Sequence, residues 1–288
     1  MPAAEVSVDA SLVRELLADQ HSDLAALPVV EIAHGWDNAI YRLGDHLAVR
    51  LPRRAVAAAL LENEQRWLPE LASRLPIPIP TPVRVGTPGR GYPWTWSICP
   101  YLPGRMAADV TLSDPVGQAE RLGEFLVALH RPAPSDAPDN VALRGHPLAA
   151  LTERLEMHLG RGVVPDAAAV RRRWAELSTA EAWQHPAVWL HGDLHTANVL
   201  VDHGAISAVI DFGDITAGDP AVDLAIGWML FDEPARAVFR SCAGGDDALW
   251  TRAEAWALYF AVIYLANSAD NAVVRRMGGA LLAAVLGG

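Results

Sequence analysis

The chain has 288 residues, 51% of them hydrophobic, which is enough to bury one large core or two smaller ones. Its 23 basic residues are all arginines and stand against 34 acidic residues. The net charge of -11 argues against a nucleic acid partner and is compatible with a cationic small molecule. Cys99 and Cys242 show neither disulfide nor metal-ligand spacing, as expected in a reducing cytosol.

No secretory or membrane-spanning segment is expected. Residues 1–20 are acidic and lack a basic segment followed by an apolar one. The longest uncharged stretch, 255–269, has about 15 residues, fewer than the roughly 20 that span a bilayer. We therefore expect a soluble, cytoplasmic protein with no membrane partner.

The first third of the chain predicts a sheet with two helices. Apolar spacing in 7–20 is typical of a short amphipathic helix, capped by Asp9 or Ser11. In 28–54, β-branched runs separated by turn residues predict three strands in a meander. Residues 55–75 are rich in helix formers, so a helix follows. Alternating prolines exclude a helix from the next segment, where we expect two further strands at 81–86 and 94–98.

After a loop at 100–104 the pattern becomes helical. Periodic apolar faces predict helices in 114–132, 147–160 and 166–184, and helices resume near the end of the chain. They are interrupted by 187–214, which predicts a strand end, a loop and a hairpin. The sequence thus predicts an α+β chain with domains 1–99 and 100–288. The first would hold a five-stranded antiparallel sheet plus a helix, and the second would be mainly helical.

The hairpin segment carries oxygen-bearing side chains at its open end. A turn centred between Gly204 and Ala205 would place Asn198 opposite Asp211. An amide oxygen and a carboxylate suit Mg²⁺, which binds few protein ligands and completes its shell with water and substrate phosphates. Asp193 enters the same end of the hairpin, where a carboxylate can orient an attacking hydroxyl and accept its proton. We therefore predict Mg²⁺ ligands at Asn198 and Asp211 and a catalytic base at Asp193.

The stretch "HGDLHTANVLV" also allows a zinc hydrolase. His191, Asp193 and His195 could bind zinc, but they share a face only in an extended segment, and Gly192 favours a turn. The other histidines show no paired spacing such as H-x-x-x-H. A zinc site assembled from distant histidines stays an alternative.

Together, "HGDLHTANVLV" and "VIDFGDITAGDPAVDLA" resemble the motifs of the aminoglycoside phosphotransferase family, relatives of the protein kinases. The separations of Asp193, Asn198 and Asp211 equal those of the kinase catalytic and metal-binding loops. The resemblance implies a two-lobed protein-kinase-like fold with a nucleotide-binding first lobe and a catalytic hairpin in the second. It implies the same roles for these three residues, with framework histidines and loop-tethering acids at Asp219 and Asp223.

The implied activity is transfer of the γ-phosphate of ATP or GTP, with Mg²⁺, to a hydroxyl of an aminoglycoside or related antibiotic. Macrolides and metabolites such as choline, homoserine or a ketoamine are alternative acceptors. A pseudokinase that binds nucleotide without catalysis is an alternative of another class. No lysine stands in "LAVRLP", at the third-strand position where a kinase has one, and this argues a little for that alternative.

In the first lobe the resemblance implies four further features of a nucleotide site. Arg50 takes the place of the kinase lysine and can bind phosphate bidentately. We expect Glu64 to pair with Arg50, with Glu62 in reserve. Gly35 is the single glycine of the first turn, where a phosphate-binding loop would lie. The linker "WSICPYLPG" would contact the purine through the backbone of Cys99 and Tyr101, because the intervening proline has no N–H.

An acceptor with several amines would need carboxylates in the second lobe. The sequence offers four candidates on or near predicted helices there: Asp232, Glu233, Glu156 and Asp270.

Overall fold

The computed structural model describes residues 3–34, 38–140 and 142–287. The chain divides into two compact units. The first comprises Met1–Arg74, Pro78–Pro103 and Val209–Gly213, and the second comprises Leu75–Ile77, Gly104–Ala208 and Asp214–Gly288. The two units change over between Pro103 and Gly104 in this part of the chain. The segment Val209–Gly213 joins the first unit, where the Val209 N–H donates to the Pro78 carbonyl at 3.0 Å.

The first unit is built on a five-stranded antiparallel sheet, as the sequence predicts. Its strands are β1 (Val29–His34), β2 (Asn38–Leu43), β3 (Leu47–Pro52), β4 (Arg84–Gly86) and β5 (Trp96–Pro100), in the order β1-β2-β3-β5-β4. β4 is shorter than the expected 81–86, because Pro80 and Pro82 have no N–H to donate to a neighbouring strand.

Two helices accompany this sheet. Helix α1 (Ala10–Gln20) begins after Asp9, whose carboxylate accepts the Leu12 N–H at 2.8 Å, as the capping pattern predicts. Helix α2 is Ala55–Ala72. Its buried residues recur every three or four positions and include one acid, Glu64. A carboxylate on the apolar face of a helix needs a cationic partner.

The second unit is mainly helical. Its helices are α3 (Pro115–Leu129), α4 (Thr152–Leu159), α5 (Ala167–Leu177), α6 (Ala221–Leu224), α7 (Ile226–Leu230), α8 (Glu233–Ala243), α9 (Asp247–Asn267) and α10 (Ala272–Leu286). Short strands accompany them: β6 (Arg105–Met106), β7 (Val188–Leu190), β8 (Val199–Asp202), β9 (Ala205–Val209) and β10 (Thr216–Gly218). Helix α9 packs against α4, α5, α6 and α10 and forms the centre of the unit. In the described parts of the chain, no helix combines the length and apolarity needed to cross a bilayer.

The expected hairpin is formed by β8 and β9, but its turn is one residue earlier than predicted. His203 and Gly204 form the turn, with φ of 48° and 80°, the pair of positive values that two-residue hairpin turns require. Asp211 lies beyond the end of β9 with φ of 64°. The register that would set Asn198 opposite Asp211 is therefore not that of the hairpin, because the backbone leaves the strand before Asp211.

Candidate active site

In the first unit, Arg50 of β3 and Glu64 of α2 form a buried ion pair. Arg50 is 7% exposed and Glu64 is 1% exposed. The guanidinium donates from Nη1 to Glu64 Oε2 at 2.5 Å and from Nη2 to Oε1 at 3.2 Å. The structure thus pairs Arg50 with Glu64, as the sequence predicts, whereas Glu62 is exposed. An arginine fork held this way has a fixed orientation.

The surroundings shift the pKa of both members of this pair. Burial raises the pKa of Glu64 to about 7, although the charge of Arg50 opposes that rise. Burial also disfavours the charged form of Arg50, but Glu64 and Asp211 outweigh that effect and raise its pKa. Arg50 therefore stays charged, and its acidic neighbours stabilise that charge in the buried position.

Asp211 is the second acid beside Arg50. Its Oδ1 lies 3.7 Å from Arg50 Nη2, and its side chain is 59% exposed. The left-handed φ of 64° is uncommon for a residue other than glycine and persists only where the surroundings hold it. Asp211 thus keeps an accessible carboxylate beside a buried cation.

Backbone groups of the linker pair with β3. The Tyr101 N–H donates to the His46 carbonyl at 2.8 Å, and Cys99 lies opposite Ala48 in the β3–β5 register. In an antiparallel pair every second residue turns its N–H and C=O toward the partner strand. Cys99 and Tyr101 therefore both direct these backbone groups at β3. The Pro100 carbonyl points the other way. The remaining predicted residue, Gly35, lies outside the described residues.

In the second unit, a tightly tethered loop follows β7. The buried Asp223 carboxylate accepts the His191 N–H at 2.8 Å and the Gly192 N–H at 2.9 Å, as the tethering role implies. Gly192 has φ of 84°, and a Cβ there would lie 2.2 Å from the Asp214 carbonyl oxygen. Only glycine fits, and the loop presents the next residue, Asp193, in one fixed position.

Asp193 is held as a carboxylate. Its Oδ1 accepts from Arg144 Nη2 at 3.1 Å, and its Oδ2 lies 3.5 Å from His195 Nε2. Burial raises the pKa of Asp193, but the charge of Arg144 and the contact with His195 outweigh burial and hold it well below its usual range. This carboxyl is therefore ionised throughout the physiological range.

Asn198 lies at the start of β8 and is 7% exposed. Its Nδ2 donates to the Asp193 backbone carbonyl at 3.0 Å, which fixes the amide because a carbonyl can only accept. The amide oxygen is the atom of this side chain that can accept a hydrogen bond or bind a metal.

The two loop histidines use ring nitrogens within the loop. His191 Nδ1 accepts the Asp193 N–H at 3.3 Å, and His195 Nδ1 accepts the Ala197 N–H at 3.2 Å. In residues 3–34, 38–140 and 142–287, no three His, Cys, Asp or Glu side chains gather as a metal site. The loop geometry does not favour a zinc hydrolase and fits the framework role expected of both histidines.

A family model described as "Phosphotransferase enzyme family" matches residues 28–256. The chain belongs to this family. It is therefore a phosphotransferase that acts on small molecules, and its fold is the protein-kinase-like fold of the family.

Solved structures show the same fold at low identity. The GDP complex of aminoglycoside 2'-phosphotransferase-IIIa has a TM-score of 0.74 at 19% identity, covering 97% of this chain and 99% of that one. Macrolide 2'-phosphotransferase MphH from Brachybacterium faecium has a TM-score of 0.62 at 23% identity, covering 95% and 97%. The streptomycin-ATP-APH(2")-IIa ternary complex has a TM-score of 0.61 at 17% identity, covering 96% and 97%. A search of curated proteins found no match.

Two residues that contact the loop of Asp193 and His195 were not expected from sequence. Arg144 is 8% exposed, and its guanidinium stacks on Phe260 at 4.6 Å. The ring of Tyr264 stacks on Phe260 at 5.6 Å and meets His195 edge-on at 5.8 Å. Among the residues described, Arg144 Nε and Nη1 and the Tyr264 hydroxyl are buried without a hydrogen-bond partner. Burial and the charge of Asp193 raise the pKa of Tyr264, so the phenol stays protonated.

The four acids expected on the acceptor side have different surroundings in the structure. Asp232 caps α8, accepting the Ala235 N–H at 3.1 Å, and lines a cavity of about 450 Å³ in the second unit. Glu233, in the first turn of α8, is exposed and is not among the residues that line it. Glu156 pairs with Arg171 at 2.8 Å on the exposed surface, and Asp270 is exposed after the end of α9. The structure brings only Asp232 to the cavity.

Proposed function

We propose that this phosphotransferase moves the γ-phosphate of a nucleoside triphosphate to a hydroxyl of a small antibiotic-type acceptor. The observation that carries the proposal is Asp193, ionised by Arg144 and fixed by a loop that Asp223 and Gly192 hold in one conformation. The nucleotide and antibiotic complexes of relatives with the same fold support both substrates.

Asp193 would orient the acceptor hydroxyl and take its proton. A carboxyl with so low a pKa is a weak base, which suits a loose transition state in which catalysis depends on positioning more than on proton abstraction. The acceptor oxygen would form the new bond to the γ-phosphorus while the bond to the β–γ bridging oxygen breaks.

Asn198 and Asp211 have the donor chemistry for Mg²⁺. The amide nitrogen of Asn198 is used within the loop, its oxygen is the atom that can bind a metal, and Asp211 keeps an accessible carboxylate. Hard oxygen donors of this kind, few in number, suit Mg²⁺. The bound ion would neutralise charge on the transferring phosphate. Arg50, held by Glu64, would supply a fixed cation for the nucleotide phosphates.

For the purine edge we propose the Pro100 carbonyl as acceptor and the Leu102 N–H as donor. Both would have the orientation opposite to the backbone groups that Cys99 and Tyr101 direct at β3. Adenine and guanine each present a neighbouring donor and acceptor, so this pair accommodates ATP or GTP.

The test is Asp193→Ala, with Asp202→Ala as the matched control. Asp202 is an exposed aspartate at the end of β8. We expect Asp193→Ala to abolish phosphate transfer while magnesium nucleotide still stabilises the protein thermally, because the side chain acts on the acceptor. The control should keep wild-type turnover. Unchanged turnover in Asp193→Ala would contradict the role proposed for Asp193.

A further inference from the structure

The cavity of about 450 Å³ in the second unit borders the catalytic loop. Thr196, three residues after Asp193, lines it, and so does Tyr264, whose ring meets His195. Its volume is in the range of small-molecule sites, roughly 300–1,000 Å³. If the proposed function holds, this cavity is where the acceptor would lie.

Most of the residues that line the cavity have apolar side chains. Helix α7, helix α10 and the loop between β6 and α3 supply most of them. The larger ones are Trp228, Met229, Leu230, Met277, Leu281 and Leu112. Side chains of this kind favour a ligand with an apolar body.

Among the described residues, two charged side chains line the cavity, and they are of opposite sign: Asp232 and Arg276. Asp232 is exposed and uses Oδ1 for the Ala235 N–H, so Oδ2 remains for one cationic group. Arg276 pairs with Asp109 at 3.0 Å, yet its charge still opposes a second cation. A polyamine would leave several ammonium groups against apolar carbon or beside an arginine, which is unfavourable.

We propose that the acceptor is a largely apolar molecule with a single amine, of the macrolide type, rather than a polyamine aminoglycoside. The amine would pair with Asp232, the body would cover the α7 and α10 side chains, and the reactive hydroxyl would lie toward Thr196 and Tyr264. This inference rests on the proposed function and narrows the acceptor within it.

The test measures binding separately from turnover. Intrinsic tryptophan quenching, to which Trp228 contributes, and calorimetry would follow titration with an amino-sugar macrolide and with a polyamine aminoglycoside. We expect the macrolide to bind at least tenfold more tightly. Equal or tighter binding of the aminoglycoside, or no binding of either, would overturn the inference.

Two variants and a control locate the binding. Asp232→Asn keeps a helix-capping residue and should weaken macrolide binding roughly fivefold to tenfold, since one ion pair is lost. Ala280→Phe fills the cavity from an exposed position and should weaken it further. Glu124→Gln removes an exposed charge elsewhere in the second unit and should change nothing. Unchanged binding in both cavity variants would contradict the inference.

Phosphate transfer is measured separately from acceptor binding. Macrolide binding at these residues without phosphate transfer would support the cavity assignment and count against the proposed phosphotransferase activity. Transfer to aminoglycosides alone would support the activity and overturn the acceptor class.

Discussion

Removal of Arg50 should destabilise the protein in a way that a second substitution repairs. Arg50→Met leaves Glu64, 1% exposed, without the cation that binds both of its oxygens. Breaking a buried pair from one side costs about 3–5 kcal/mol. At about 2–4 °C per kcal/mol for a chain of roughly this size, the melting temperature should fall by about 6–20 °C.

The loss should depend on pH. Glu64 already has a pKa of about 7 because it is buried, and loss of the Arg50 charge raises that pKa further. A carboxyl whose pKa is raised on folding favours the folded state below its unfolded pKa, and that stability is lost as the pH rises through the folded value. Arg50→Met should therefore be less destabilised at pH 5 than at pH 8.

Arg50→Met/Glu64→Leu should recover most of the stability, since no charge stays buried. Denaturant unfolding of the wild type, both single variants and the double variant measures the coupling. The double variant should still lose at least about 100-fold in transfer rate if Arg50 serves the nucleotide. A double variant as unstable as Arg50→Met would refute the ion-pair reasoning, and wild-type turnover in it would refute the nucleotide role.

Three further substitutions test the catalytic loop. Arg144→Met, which removes the guanidinium 3.1 Å from Asp193, should lower kcat at least about tenfold with nucleotide affinity unchanged, and Arg144→Lys should restore part of it; unchanged steady-state kinetics would exclude a positioning role. Asp223→Asn leaves one of two loop N–H groups without its acceptor, so amide hydrogen exchange at 191–193 should speed up; wild-type exchange rates would contradict the tether. Gly192→Ala should unfold or inactivate the enzyme. Gly162 has φ of 71° but open space around it, so Gly162→Ala should lower the free energy of unfolding by only about 1–2 kcal/mol. Equal losses of unfolding free energy in the two variants, measured by denaturation, would refute the steric argument.

Features set by local pattern could be predicted from the sequence. Asp9 caps α1 because a capping side chain acts on residues three positions away. Glu64 was recognisable as a partner for Arg50 because it shares the buried face of α2 with Trp67 and Leu68. The five strands follow from alternation and turn residues. The spacing of Asp193, Asn198 and Asp211 identified the family.

Features set by strand register or distant packing could not be predicted. Which backbone groups of the linker are used within the sheet depends on how β5 pairs with β3, and the sequence does not show that register. Arg144 lies 49 residues before Asp193, in a loop with no periodic pattern. Tyr264 lies in the uncharged second half of α9, where no pattern in the neighbouring residues marks one of them as part of a site.

The most direct test of the central claim follows the γ-phosphate itself. The full-length protein, Mg²⁺ and a γ-labelled nucleoside triphosphate would be incubated with macrolides, aminoglycosides and small amino alcohols, and the products separated and analysed by mass spectrometry. We predict label covalently attached to an acceptor hydroxyl with the wild type and none with Asp193→Ala. Label found only in the nucleotide or in inorganic phosphate, with every acceptor, would contradict the account.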